Sequence, residues 1–321
     1  MRAIRIDRTG GPEVLRLEEV APPVAKAGEV LVRNEAIGVN YIDTYHRSGL
    51  YRLPLPTGLG SEGAGAIEAL GEGVTGFAVG DRVGYASGPI GAYAEYHAIR
   101  ATSALKLPAA VPAEIAAAAM LKGMTARYLL KRTYPVKPGE TIVVHAAAGG
   151  VGQILVQWAA HLGARVIACA GSDEKGALAK RLGAAEVINT SAQDIAKTIR
   201  ELTNGEGAPV VYDPVGKDTF EATLKSLAPL GLFVSFGNAS GPPPPIEPQL
   251  LMANGSLFFT RPTMGTYVRT PALLKETADD LWDVIATGAA KIAPPTRYKL
   301  AEAAHADLQA RKTTGSLVLA P

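Results

Sequence analysis

Apolar and polar positions follow two different rhythms along the chain. Before Pro112 they come as short apolar runs cut by glycine and proline. Ile4 and Ile6 alternate with charged neighbours, Gly10-Gly11-Pro12 turns the chain, and Val14-Leu15-Arg16-Leu17 resumes it. Residues 29–32 open another strand. Residues 63–70 form one dense in small side chains, ended by Gly71-Glu72-Gly73, and Gly80-Asp81 turns into Arg82-Val83-Gly84-Tyr85. Glycine at that density inside strands means close backbones and bent strands, so the region reads as β-rich and partly barrel-like.

After Pro112 the rhythm changes. Residues 113–131, rich in alanine and leucine, predict a long helix. Beyond Pro138-Gly139, strands are expected at 141–147, 165–170, 186–188, 209–212, 232–236 and 257–260, with helices at 152–162, 173–182, 193–202 and 218–227. Short apolar strands joined by helices predict an α/β, doubly wound parallel sheet of the Rossmann type. Pro242-Pro243-Pro244-Pro245 reads as a stiff exposed loop. The tail after Pro262 holds two helical stretches and a strand at 316–319, too little for a core of its own. It is expected to rejoin the N-terminal region. Residues 1–121 and 263–321 then make a discontinuous substrate domain, and residues 122–262 a dinucleotide-binding domain.

The length, 321 residues, suits two domains, and 47% apolar against 19% charged residues supplies core material and excludes a disordered chain. Lysine and arginine number 32 against 30 acids, so bulk charge predicts no nucleic-acid or anionic-membrane partner. The apolar stretch at 115–121 is far too short for a membrane span, and the N-terminus reaches charge too soon for a signal peptide. The single cysteine, Cys169, excludes a disulfide framework and a multi-cysteine metal site. A cytoplasmic location is expected.

The candidate chemistry sits in Val143-Val144-His145-Ala146-Ala147-Ala148-Gly149-Gly150-Val151-Gly152, at the first strand-to-helix turn of the alternation. Against G-x-G-x-x-G the key positions are Ala147, Gly149 and Gly152. The middle glycine admits a pyrophosphate, the last lets helix pack on strand, and the helix N-terminus offers N–H groups to an anion. The second strand ends in Ala170, where an NAD site carries an acid for the ribose. Gly171-Ser172-Asp173-Glu174-Lys175 follows, so Ser172 and Lys175 are read as holders of a 2′-phosphate, and Asp173 as a first-turn acid of the next helix, with the ribose as its rival partner if the strand end slips by one residue.

These residues, with Gly10-Gly11-Pro12-Glu13-Val14-Leu15, Ala36-Ile37-Gly38-Val39-Asn40-Tyr41-Ile42-Asp43, Tyr45, Arg47-Ser48-Gly49-Leu50-Tyr51, Val211-Tyr212-Asp213, Val234-Ser235-Phe236-Gly237-Asn238 and Thr260-Arg261-Pro262, resemble the zinc-free NADPH:quinone oxidoreductases, the zeta-crystallin-like branch of the medium-chain dehydrogenase/reductases. In zinc-dependent relatives a Gly-His-Glu motif stands where this chain has Gly60-Ser61-Glu62, so Ser61 replaces a ligand histidine and no metal is expected. The resemblance implies that Asn40 and Tyr45 line the nicotinamide side with Tyr41, Ile42 and Asp43, and that Thr125 reaches the nicotinamide or its ribose. It implies that Ala148, Gly149, Gly150 and Val151 cradle the pyrophosphate, and that Gly171, Ser172, Lys175 and Arg311 surround the adenosine phosphate. Thr190 stands where bacterial relatives carry a tyrosine over that phosphate. The resemblance also implies that Phe236, Gly237, Asn238, Thr260 and Arg261 close over the cofactor.

The implied activity is NADPH-dependent reduction of a small-molecule quinone, with Arg261, Asn40, Tyr45 or Tyr51 stabilising charge on a quinone oxygen. Reduction of α,β-unsaturated carbonyl compounds is the enzymatic alternative, and a non-enzymatic, RNA-binding NADPH protein the other. The apolar edge segment 256–260 predicts a homodimer. His145 is expected in the core with a backbone partner, His161 and His305 on the surface, His46 beside the cleft, and His97 in a β segment. Arg261, inside an apolar run, is expected to face an anion or a carboxylate.

Overall fold

The alternation of Ile4 and Ile6 with charge becomes β1 (Arg2–Ile6), the first of eight strands before Pro112, in a computed structural model that describes residues 1–299 and 304–321. β2 (Arg16–Glu19), β3 (Glu29–Val39), β4 (Thr57–Gly58), β5 (Gly63–Leu70), β6 (Arg82–Tyr85), β7 (Tyr96–Arg100) and β8 (Leu105–Lys106) follow. β1 pairs with β2 and β4 in a small sheet. In the larger one, β3 runs antiparallel to β5 and β7, and β5 to β6. Register shifts between Leu31 and Val32 and between Asn34 and Ala36 bend β3 against β5. Ile4, Ile6, Val30, Val32, Ile37, Leu59, Ile67 and Ile99 are buried in the core of this unit.

The alternating part of the sequence gives β9 (Thr141–Val144), β10 (Arg165–Ala170), β11 (Glu186–Asn189), β12 (Ala208–Asp213), β13 (Leu227–Ser235) and β14 (Phe258–Thr260). All pairings are parallel, in the order β11-β10-β9-β12-β13-β14. That is the doubly wound order, with its reversal of direction beside β9. Helices α3 (Gly150–His161), α4 (Asp173–Arg181), α5 (Ile195–Leu202) and α6 (Phe220–Ser226) join the strands, and Val143, Ile167, Ile188, Val211 and Phe233 fill a core between sheet and helices. β9 stops three residues short of the expected end because Ala146 turns at φ 49, though His145 and Ala147 still donate N–H bonds to the neighbouring strands.

Chain contacts define two units, Met1–Met124 with Val268–Trp282 and Ile292–Pro321, and Thr125–Tyr267 with Asp283–Lys291. The tail is therefore shared, with 263–267 and 283–291 in the second unit. The last strand, β16 (Leu317–Ala320), lies antiparallel to β3 and parallel to β15 (Thr296–Lys299). β15 carried no clear sequence signal. Nor was α1 (Tyr41–Ser48) expected, because its aromatic and β-branched residues are weak helix formers. Its signal lay at the ends, with Asn40 and Asp43 at the start and Gly49 at φ 84 as its C-cap. The long helix, α2 (Ala113–Tyr128), passes into a π-helical turn at Leu129–Thr133.

Candidate functional site

The glycine turn sits at the carboxyl end of β9, beside the reversal of strand order. Gly149 caps α3 with no side-chain bond, so the first N–H groups of the helix are left for a ligand. A methyl group at Gly152 would strike the Ala146 carbonyl and the Ala147 backbone, whereas one at Gly149 would meet only the Ala146 oxygen, at 3.1 Å. Gly152 is thus needed for the turn itself, and Gly149 leaves the helix mouth clear. Gln153 Nε2 fixes the Ala148 carbonyl at 2.9 Å.

At the end of β10, Ala170 accepts the Thr190 N–H and the Gly171 carbonyl accepts the Ser191 hydroxyl. The Ser172 hydroxyl caps α4 by accepting the Lys175 N–H at 3.3 Å. Asp173 lies in the first turn, with Oδ1 accepting from Asn189 Nδ2 at 2.7 Å. Ser172, Lys175 and Thr190 are therefore held by these bonds near one strand end.

A second group gathers where β13 and β14 end. Arg261 Nη1 donates to the carbonyls of Ser235, at 2.8 Å, and Gly237, at 3.2 Å. Both of these partners are backbone oxygens. The bonds tie Thr260-Arg261 to Phe236-Gly237-Asn238. Arg261 also acts electrostatically on Tyr128, which shares a hydrogen bond with Thr125 and stacks on Tyr267 with centroids 4.5 Å apart. Burial pushes the Tyr128 phenol up to about 12. Tyr128 and Tyr267 were missed in the sequence because no motif marks them; they join Thr125 to Arg261.

Beneath the turn, His145 is buried as expected, but its partner is a side chain. Nε2 lies 3.2 Å from Thr223 Oγ1, which donates to Asp213 Oδ2 at 2.9 Å, and Thr219 donates to the same oxygen at 2.7 Å. Asp213 Oδ1 accepts the N–H groups of Val215 and Gly216. Burial lowers the His145 pKa and the Asp213 charge opposes the shift.

The first unit holds a different constellation. Asn40 begins α1 and is 5% exposed. Its Nδ2 donates to Glu62 Oε2 at 2.7 Å, and its N–H to Asp43 Oδ2 at 2.8 Å. Glu62 is fully buried and its Oε1 takes the Leu121 N–H, while Lys122 Nζ stands 3.5 Å from Oε2. Gly38 has to be glycine, since a Cβ there would collide with the Glu62 carboxylate. Asp43, expected beside the nicotinamide, has no exposed surface and also accepts the Tyr93 hydroxyl at 2.8 Å. His305, expected on the surface, is 1% exposed, with Nε2 3.0 Å from Tyr93 Oη and Nδ1 3.1 Å from Arg47 Nη1. Its short helix, Ala304–Gln309, looks polar in sequence, and only the tertiary fold buries that face.

Tyr45 is buried, with its ring 5.3 Å from that of Tyr51 and 6.0 Å from that of Tyr41. His46 lies 6.1 Å from Tyr51, and burial lowers its pKa. Arg311 acts on Tyr41, whose phenol is raised by burial against that charge. His161 is exposed, His97 Nε2 donates to the Pro89 carbonyl at 3.0 Å, and Cys169 is a buried thiol.

The residues present do not fit a zinc ion. Ser61 offers a hydroxyl, Glu62 is committed to Asn40, Leu121 and a lysine, and among the described residues no group of three His, Cys, Asp or Glu side chains could hold a metal. No helix among the described residues is long and apolar enough to cross a membrane.

A doubly wound sheet with a glycine turn, in one chain with a bent β-rich unit, defines the medium-chain dehydrogenase/reductase class. Two family models match, an alcohol dehydrogenase GroES-like domain over residues 26–109 and a zinc-binding dehydrogenase over 150–285. A quinone oxidoreductase of Pseudomonas aeruginosa is 52% identical, over 100% of this chain and 99% of the relative. Quinone oxidoreductase 1 of Escherichia coli is 46% identical over 99% of each. The crystal structure of an Escherichia coli quinone oxidoreductase complexed with NADPH superposes with a TM-score of 0.98, at 45% identity and full coverage of both chains. The chain belongs to the quinone oxidoreductase family of the medium-chain dehydrogenase/reductases.

Proposed function

We propose that this enzyme reduces quinones with NADPH and without a metal ion. The observation that carries the reading is the side-chain-free N-terminus of α3 at the switch point of the sheet, beside a β10 end that lacks an acid. NADPH, when bound, supplies the reducing equivalents.

The proposed roles of the residues follow from their settings. Ala148, Gly149, Gly150 and Val151 receive the pyrophosphate at the helix mouth. Gly171, Ser172, Lys175 and Thr190 border the 2′-phosphate, and Arg311 is a further cation for it. Thr125, Phe236, Gly237, Asn238, Thr260 and Arg261 serve the nicotinamide end in the second unit, and Tyr41 and Ile42 serve it in the first. Asn40, Tyr45, Tyr51 and Arg261 orient the quinone and donate hydrogen bonds as charge develops on its oxygen. Asn40 keeps one amide N–H beyond its bond to Glu62. Asp43, wholly buried, acts through Asn40.

By this reading the unit of Met1–Met124, Val268–Trp282 and Ile292–Pro321 chiefly serves substrate, and that of Thr125–Tyr267 and Asp283–Lys291 chiefly the dinucleotide. We propose a homodimer through the edge strand β14, where Phe258 is 61% exposed, and a cytoplasmic setting consistent with a lone buried thiol. Following NADPH oxidation against a panel of quinones and a panel of enones tests the function. Faster turnover of quinones is expected, and turnover of enones alone would reject it.

A further inference from the structure

Arg47, Tyr93 and His305 come from three distant parts of the chain, and each is at least 98% buried. Arginine only donates hydrogen bonds. With Arg47 Nη1 3.1 Å away, His305 Nδ1 has to be the acceptor, so the ring is neutral and carries its hydrogen on Nε2. Nε2 then donates to Tyr93 Oη across 3.0 Å, and the single phenolic hydrogen of Tyr93 goes to Asp43 Oδ2 across 2.8 Å. Arg47 is itself held by Gly10 O at 3.1 Å and Gln309 Oε1 at 2.7 Å. No member of this chain can be reversed without setting donor against donor.

Asp43 Oδ2 thus receives two donors, Tyr93 O–H and Asn40 N–H. A carboxyl proton has to sit on Oδ1, which is buried and without a partner among the described residues. We propose that Arg47, His305 and Tyr93 are positioning residues, which hold Asp43 in the charged form that clamps Asn40 at the head of α1 against Glu62. The inference rests on the reading that Asn40 serves quinone reduction.

The charged groups around Asp43 oppose one another. Burial and the nearby Glu62 favour the neutral acid, whereas the Asn40 N–H, the Tyr93 hydroxyl and the Lys122 cation favour the anion; the outcome is a carboxyl raised to about 7. Burial, with the Arg47 charge, depresses the His305 imidazole to about 3, which keeps it neutral and the order of donors fixed. His46, on the same face of the same helix one turn away, is held toward its neutral form by burial. Charge-assisted hydrogen bonds are roughly twice as strong as neutral ones, so ionising Asp43 tightens the clamp on Asn40.

The test compares wild type, Tyr93→Phe and Asp43→Asn. In wild type kcat/KM for a quinone rises with pH through a midpoint near the Asp43 value. Tyr93→Phe removes a donor to the anion alone, so the midpoint moves up by about one pH unit, roughly tenfold in the ionisation constant. Activity of this variant recovers at alkaline pH and its KM for NADPH stays put. Asp43→Asn abolishes that limb. A merely structural role predicts equal loss at every pH. The infrared carboxyl band of Asp43, assigned by difference against Asp43→Asn, is titrated in parallel on the protein without substrate. A wild type that reduces no quinone would defeat the proposed function, whereas a carboxyl band that titrates alike in wild type and Tyr93→Phe would overturn the relay.

Discussion

Asn189 Nδ2 donates to Asp173 Oδ1 at 2.7 Å, and so anchors the acid nearest the end of β10 in the first turn of α4. An acid held this way already has a partner and lies where a helix favours negative charge. The same turn holds Lys175, whose backbone N–H makes the cap bond to Ser172.

NADPH is therefore expected over NADH by about tenfold or more, given roughly 1.5–3 kcal/mol for a hydrogen bond to a charged phosphate and one decade per 1.4 kcal/mol. Lys175→Ala raises KM for NADPH and leaves that for NADH nearly unchanged. Steady-state kinetics with both cofactors decide this. Equal losses with the two would assign the ribose to Asp173 instead.

Phe258 and Leu257 differ sharply in setting. Phe258 is 61% exposed on the edge strand, while Leu257 is 5% exposed and belongs to the core of the second unit. A charge at Leu257 would therefore report on folding rather than on assembly. Phe258→Glu is expected to shift the protein from dimer to monomer with its thermal unfolding of the isolated chain little changed. Sedimentation velocity at micromolar concentration reads the outcome, and a wild-type monomer would contradict it.

Zinc should be absent from the purified enzyme, and activity should survive incubation with a strong chelator, because Ser61 and an occupied Glu62 make a poor ligand set. Elemental analysis together with residual quinone reduction checks this. One zinc per chain whose removal stops turnover would contradict it.

Acid should destabilise the fold through its buried histidines. His97 is depressed to about 4 and His305 to about 3 from 6.5, chiefly by burial. Below pH 6.5 the unfolded chain takes up protons that the folded chain refuses, so stability falls with pH until the folded values are reached. Asp43 works the other way, because its carboxyl is raised from 3.8 to about 7 and the folded chain keeps a proton the unfolded one releases. Two histidines outweigh one carboxylate. His97→Gln is expected to lessen the acid slope by about one proton, ~1.4 kcal/mol per pH unit. Urea midpoints measured across this range give the slope, and an unchanged slope in His97→Gln would refute the assignment.

The doubly wound unit was legible because its signals are local. Short apolar strands, helices between them and a glycine turn each follow from neighbouring side chains and backbone limits. The glycines of the β-rich region announced close approaches in the same way, and Gly38 against Glu62 is one of them. Absence was legible too, in Ser61 and in the missing acid after Ala170.

What the linear chain could not disclose depends on long-range burial. His305 sits in a helix that reads as polar, and becomes a core residue only because Arg47 and Tyr93, more than 200 residues away, supply both of its hydrogen bonds. Tyr128 and Tyr267 stack from separate stretches of the chain, and the His145 ring finds Thr223 rather than backbone. Propensity and periodicity report which face of an element is apolar. They cannot report which polar side chains will be sealed together, since that is set by where distant elements meet once the two cores have formed.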